Sequence, residues 1–295
     1  MQSNIDHWNE LQAAGKLYVY LKDGPPVSWW QQGLGFSYPL FLCCILIACF
    51  VFMRLLPAGR RKWKSYFFSV GCGTILGAAG CFLTYRAKGQ FPGWLFPPWA
   101  VTGIEFGLTL EDWLFLPACT TLFYIFYRFI KIKNDTTSRN HPFHYSALCV
   151  YCALSIAVVL VTKTAGRLEI ALYVVPGMAL YWFARENIEI KKFFFLQIAI
   201  LVFQASWDLV SVSLLHMIPG LSWASQWIYI SFDQVGNYFH SPVFLDYKTH
   251  RWAWVLFNPV EMTPLFGICG GLLNCAMFAT GDKLFYPLNT SRHAP

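Results

Sequence analysis

Leu108-Thr109-Leu-Glu111-Asp112-Trp113-Leu-Phe115-Leu-Pro-Ala-Cys119-Thr-Thr-Leu122-Phe-Tyr-Ile-Phe-Tyr127 sets two adjacent acids directly before an apolar run. From Trp113 to Tyr127 the run holds 15 uncharged residues, about 22 Å of helix and short of a hydrocarbon core roughly 30 Å thick. A helix crossing a bilayer here must recruit residues 108–110, which draws Glu111 and Asp112 to the interface or below it. The pattern recurs. Glu261-Met262-Thr-Pro-Leu-Phe-Gly-Ile-Cys269-Gly-Gly-Leu272 lies on Glu111 to Leu122 at a constant offset of 150, with Glu, Cys and Leu coinciding. Phe91-Pro92-Gly93 precedes the first copy as Ile218-Pro219-Gly220 precedes the second.

Outward from these copies, the whole chain is apolar. Of its 295 residues 56% are hydrophobic and only 13% charged, about half the charged share of an average soluble domain. Too few charges remain to cover a soluble globule, so the composition points to an integral membrane protein. Seven stretches are long enough to span: 38–57, 66–85, 108–127, 145–162, 169–184, 193–218 and 258–280. With the N-terminus outside, the inner segments carry 14 of the 22 Lys and Arg residues and the outer ones 8, which favours a cytoplasmic C-terminus. The expected fold is an all-α seven-helix membrane bundle. Residues 1–135 form one three-helix repeat, 136–165 a linker helix, and 166–295 a second repeat in the same orientation. Parallel repeats imply a pseudo-two-fold axis along the membrane normal, with a site between the halves.

Other features argue for packing. All ten cysteines fall inside apolar runs and are poor disulfide candidates; Cys149-Val-Tyr-Cys152 has a redox or metal spacing but no second pair or nearby His cluster. Gly73-Thr-Ile-Leu-Gly77 and Gly267-Ile-Cys-Gly-Gly271 give small faces for close helix approach. Residues 221–232, with Trp223, Trp227 and Tyr229, read as an interfacial aromatic segment. No basic face of a soluble domain suits nucleic acid. Asp6, Glu10 and Asp23 precede any apolar run, which does not fit a cleavable signal.

Among the fifteen acids, four are not explained by solvated loops: Glu111, Asp112, Asp208 and Glu261. Asp208 sits mid-way along 193–218, where an acid costs at least ~2.5 kcal/mol on insertion scales and is by default functional. The structural alternatives are a hydrogen bond from Asp208 to Trp207 or a neighbouring helix, and helix-dipole charge for Glu111 and Glu261. Two acids close together in an apolar setting resist ionising together, which keeps a proton for an acid catalyst. Trp113, Phe115, Trp207, Trp252 and Trp254 offer π faces to a carbocation, or serve as packing and belt residues.

Trp99-Ala-Val-Thr102-Gly-Ile-Glu-Phe-Gly-Leu108-Thr109-Leu-Glu111-Asp112-Trp-Leu-Phe115, followed by Phe123-Tyr124, resembles the signature of membrane carotenoid cyclases of the heterodimeric or fused lycopene cyclase type. Thr109 stands where that family usually has proline, and Met262 replaces the second acid of the second copy. The resemblance implies a cofactor-independent, metal-free, redox-neutral cyclisation of an acyclic polyene such as lycopene to a β-type end ring. Glu111 and Glu261 would be acids, Asp112 a partner or the base, and Asp208 an orienting or relay group.

Rival classes lack their residues. No Asp or Asn recurs at i, i+4 and i+8 for a Mg²⁺–diphosphate site. His141-Pro-Phe-His144 is the only close His pair, too few for a di-iron enzyme, and residues 258–280 hold no lysine for a retinal Schiff base. Another membrane isoprenoid cyclase, and a proton-coupled transporter or lipid-binding membrane protein in which Asp208 titrates, are the alternatives.

Overall fold

The structure, a computed structural model, describes residue 13 and residues 37–81, 94–95, 102–130, 144–150, 152–153, 156, 164–208, 228–229 and 263–287. Its helices are α1 (Ser37–Leu55), α2 (Trp63–Cys81), α3 (Leu110–Phe129), a helical segment at 144–150 labelled α4, α5 (Thr164–Ala184), α6 (Ile190–Asp208) and α7 (Thr263–Phe285). Single 3-10 turns at Ala58–Arg60 and Arg185–Asn187 join α1 to α2 and α5 to α6. The described residues are all-α apart from two antiparallel pairs of two-residue strands. β1 (Trp94–Leu95) pairs with β4 (Ile228–Tyr229), and β2 (Glu105–Phe106) with β3 (Leu108–Thr109).

Helix ends fall where charge is satisfied, not where it first appears. The sequence pattern stops the seventh helix at residue 280, whereas α7 runs on to Phe285 because Asp282 is buried against Arg128. Likewise α2 starts at Trp63, with the Tyr66 amide donating to the Lys62 carbonyl at 2.9 Å. At its other boundary, α3 begins two residues later than the apolar run, since Leu108 and Thr109 are spent on β3. Among the described residues, no helix is long and apolar enough to cross a membrane. The expected seven spans correspond to seven helical segments among the described residues.

Packing centres on α3 and α7. The first rests on α1 and α2, the second on α5 and α6; α7 also touches α2 and α3, and α3 touches α6. The two central helices run parallel. Arg128 near the end of α3 pairs with Asp282 near the end of α7, and the rings of Tyr124 and Tyr127 lie 5.2 and 5.3 Å from that of Phe278. By contrast α6 runs antiparallel to α3, with Lys192 of its first turn over the Tyr127 ring at 4.1 Å and Phe203 against Phe123. Tyr124, Tyr181, Leu196 and Phe278 are fully buried between these helices.

Small residues permit this approach. A Cβ added at Gly73 would collide with Thr120 of α3, one at Gly77 with Leu116, and one at Gly271 with Gln197 of α6. Both glycine-rich faces expected to aid packing therefore supply contact positions, at Gly73 and Gly77 in α2 and at Gly271 in α7. Gly77→Leu forces a branched side chain onto Leu116, an overpacking that is expected to cost about 1–3 kcal/mol. A detergent melt of the purified variant reads this as a lowered midpoint; an unchanged midpoint contradicts the α2–α3 contact.

Candidate active site

The chain before α3 folds back on itself as a small cap. Gly103 and Gly107 take positive φ of 73° and 78°, a region that side-chain-bearing residues avoid. These turns allow β2 and β3 to pair and bring the Leu110 amide to the Ile104 carbonyl at 2.9 Å. Thr109 is the N-cap. Its hydroxyl accepts from the Asp112 amide at 3.2 Å and donates to Asp112 Oδ2 at 2.8 Å, while Oδ2 also accepts from the Thr109 amide at 3.2 Å. This reciprocal box satisfies helix-end donors that would otherwise be orphaned. Thr109 thus supplies both a capping hydroxyl and an amide hydrogen.

Glu111 points the other way, into the cap, and is 0% exposed. Its Oε1 accepts from the Thr102 amide at 2.8 Å and the Thr102 hydroxyl at 3.0 Å; that hydroxyl in turn accepts from the Ile104 amide at 3.2 Å. Oε2 is buried with no hydrogen-bond partner among the described residues. Buried polar atoms are nearly always partnered, so an orphan one calls for a functional account. One oxygen anchors the carboxyl, and the other makes no hydrogen bond among the described residues. Close by, the Trp113 indole N–H donates to the Phe106 carbonyl at 3.3 Å, and Phe115 is half-buried on the same helix.

The adjacent acids therefore divide their work, Asp112 capping the helix and Glu111 entering the cap. Asp112→Asn weakens the box and is expected to cost about 1 kcal/mol of stability. A thermal melt of the purified variant checks this, and an unchanged midpoint would contradict the capping role.

Of the other residues expected at the site, Trp207 and Asp208 are the last described residues of α6; their side chains lie outside the described residues, as do Glu261, Trp252 and Trp254. The backbone still places Asp208 usefully. Because α6 is antiparallel to α3 and α7 parallel to it, Asp208, Glu111 and Thr263 at the start of α7 stand at one end of the bundle. Thr102 is a positioning residue that the sequence pattern did not single out.

A second polar cluster occupies the opposite end, where the sequence pattern predicts solvated side chains. Arg128 is 5% exposed and Asp282 7%. The Arg128 guanidinium donates to both Asp282 carboxylate oxygens, to the Ser65 hydroxyl at 3.2 Å and to the Tyr124 hydroxyl at 2.6 Å. The Tyr124 hydroxyl in turn donates to the Lys62 carbonyl at 2.9 Å, and Lys62 Nζ lies 3.3 Å from Asp282. Compared with family models, curated proteins and solved structures, the chain matches none.

Proposed function

We propose that the chain is an integral membrane carotenoid cyclase that closes an end of an acyclic polyene such as lycopene into a β-type ring, with Glu111 as the acid. The observation that carries this reading is the buried Glu111 carboxyl, held on one oxygen by Thr102 and unpartnered on the other. The proton goes from the acid to a terminal carbon–carbon double bond, giving a tertiary cation. The neighbouring double bond attacks that cation and closes the ring, and loss of a ring proton to a carboxylate restores neutrality. No electrons are gained or lost. Trp113 and Phe115 supply nearby π faces for the cation.

The membrane reading draws on the outer surface. Ile47, Leu55, Phe67, Ile75, Val175, Phe195, Ile198 and Val202 face outward around the helices, while Arg128, Asp282 and Glu111 are buried. Large apolar patches of this kind mark contact with lipid or partners. Two parallel three-helix repeats fit the way α3 rests on α1 and α2 as α7 rests on α5 and α6, and the reciprocal α2–α7 and α3–α6 contacts. Paired β1 and β4 fit them too, each lying in the chain that leads into a central helix.

Co-expression in cells that accumulate lycopene tests the activity: orange or yellow ring-bearing pigment is expected, and unchanged red pigment contradicts it. A proton-coupled transporter is the second reading, favoured by the buried Arg128–Asp282 pair. It yields no ring product in the same assay.

A further inference from the structure

We infer that the end of the bundle opposite Glu111 binds the phosphate of an anionic phospholipid, with Lys192 as its principal contact. Alternating helix directions gather Arg54, Arg60, Lys62, Arg185, Lys192 and Lys283 at this end. Several of these cations lie against rings at the rim: Arg54 over Phe50 and Trp63, Arg185 over Trp182, and Lys283 over Phe183. This is the arrangement of side chains whose stems lie on an apolar surface and whose heads reach a polar boundary.

Within the rim the charges do not balance. Asp282 is shared by Lys62 and Arg128. Lys192 has no ion pair among the described residues; its ammonium rests on the Tyr127 ring, which also lies beneath the Arg128 guanidinium at 5.2 Å. Arg128 Nε is buried and unpartnered. With Glu189, three residues before Lys192, and Arg60, whose guanidinium donates to the Arg128 carbonyl, four cations face two acids. An anion is the missing component. The apolar side chains bordering the cluster, Phe129 and Phe183 among them, are exposed, so the source of that anion is a lipid whose chains cover them.

The inference rests on the membrane reading but not on the cyclase chemistry. It is tested by melting the full-length protein in detergent with added phosphatidylcholine, phosphatidylglycerol or inorganic phosphate. Phosphatidylglycerol is expected to raise the midpoint by about 5 °C more than phosphatidylcholine. Lys192→Gln should remove that difference and Lys192→Arg should keep it. An equal gain from both lipids, a gain that survives in Lys192→Gln, or the full gain from inorganic phosphate alone would each overturn the lipid site. No response to any lipid, with the protein stable without detergent, would instead sink the membrane reading.

Discussion

Glu111→Gln is expected to abolish ring formation while leaving the protein folded and in the membrane fraction. The amide matches the carboxyl in size, and its oxygen still accepts from the Thr102 amide and hydroxyl. On the proposed mechanism, what it loses is a carboxyl able to deliver a proton from Oε2. General acid catalysis contributes about 10²–10⁴-fold in typical enzymes, so turnover should fall by at least about a hundredfold. Pigment extracted at matched protein levels gives the answer. Wild-type turnover by Glu111→Gln would move the acid to Glu261 or Asp208. A companion variant separates geometry from chemistry: Thr102→Val removes the hydroxyl donor but not the amide, so it should lower turnover without abolishing it.

Breaking the ion pair at the other end should affect folding more than any other single change. Arg128→Met leaves Asp282 buried with Lys62 alone, and Asp282→Leu leaves a buried guanidinium with the Ser65 and Tyr124 hydroxyls but no counter-charge from Asp282. Removing one partner of a buried pair costs about 3–5 kcal/mol, a large part of the roughly 5–15 kcal/mol that holds a domain folded. The double variant should melt higher than either single one, because it leaves neither charge without its partner. Size-exclusion recovery after heating measures all three. Single variants as stable as the wild type would show that α3 and α7 are held together by the packing of Tyr124, Tyr127 and Phe278 alone.

How far these features could be read in advance depends on range. Glu111 stood out because an acid ahead of a short apolar run is conspicuous by itself, and the 150-residue offset to Glu261 gave it a second copy. Its clamp did not stand out. Thr102 reaches Glu111 only because Gly103 and Gly107 turn the chain back, a fact of backbone conformation that hydropathy does not carry. The division between Asp112 and Glu111 lies in the letters Thr109-x-x-Asp112, a capping pattern that two adjacent acids, taken as one chemical pair, conceal. Asp282 was invisible for another reason. An acid beside a lysine at a helix end reads as solvated, and the arginine that buries it lies 154 residues away in the chain. Among the described residues helix positions follow the apolar runs that set them, whereas α7 outruns its apolar pattern because a tertiary contact keeps Asp282 inside.

Acid-driven, redox-neutral ring closure has an isotopic signature. Membranes containing the wild-type protein, given acyclic polyene in D₂O, should yield cyclic product carrying one deuterium per ring, because the proton added to the terminal double bond comes from an exchangeable carboxyl while the proton lost comes from carbon. Mass spectrometry of the extracted pigment reads this directly. Ring product with one extra mass unit per ring is the predicted result; no ring product, or rings without deuterium, would contradict it.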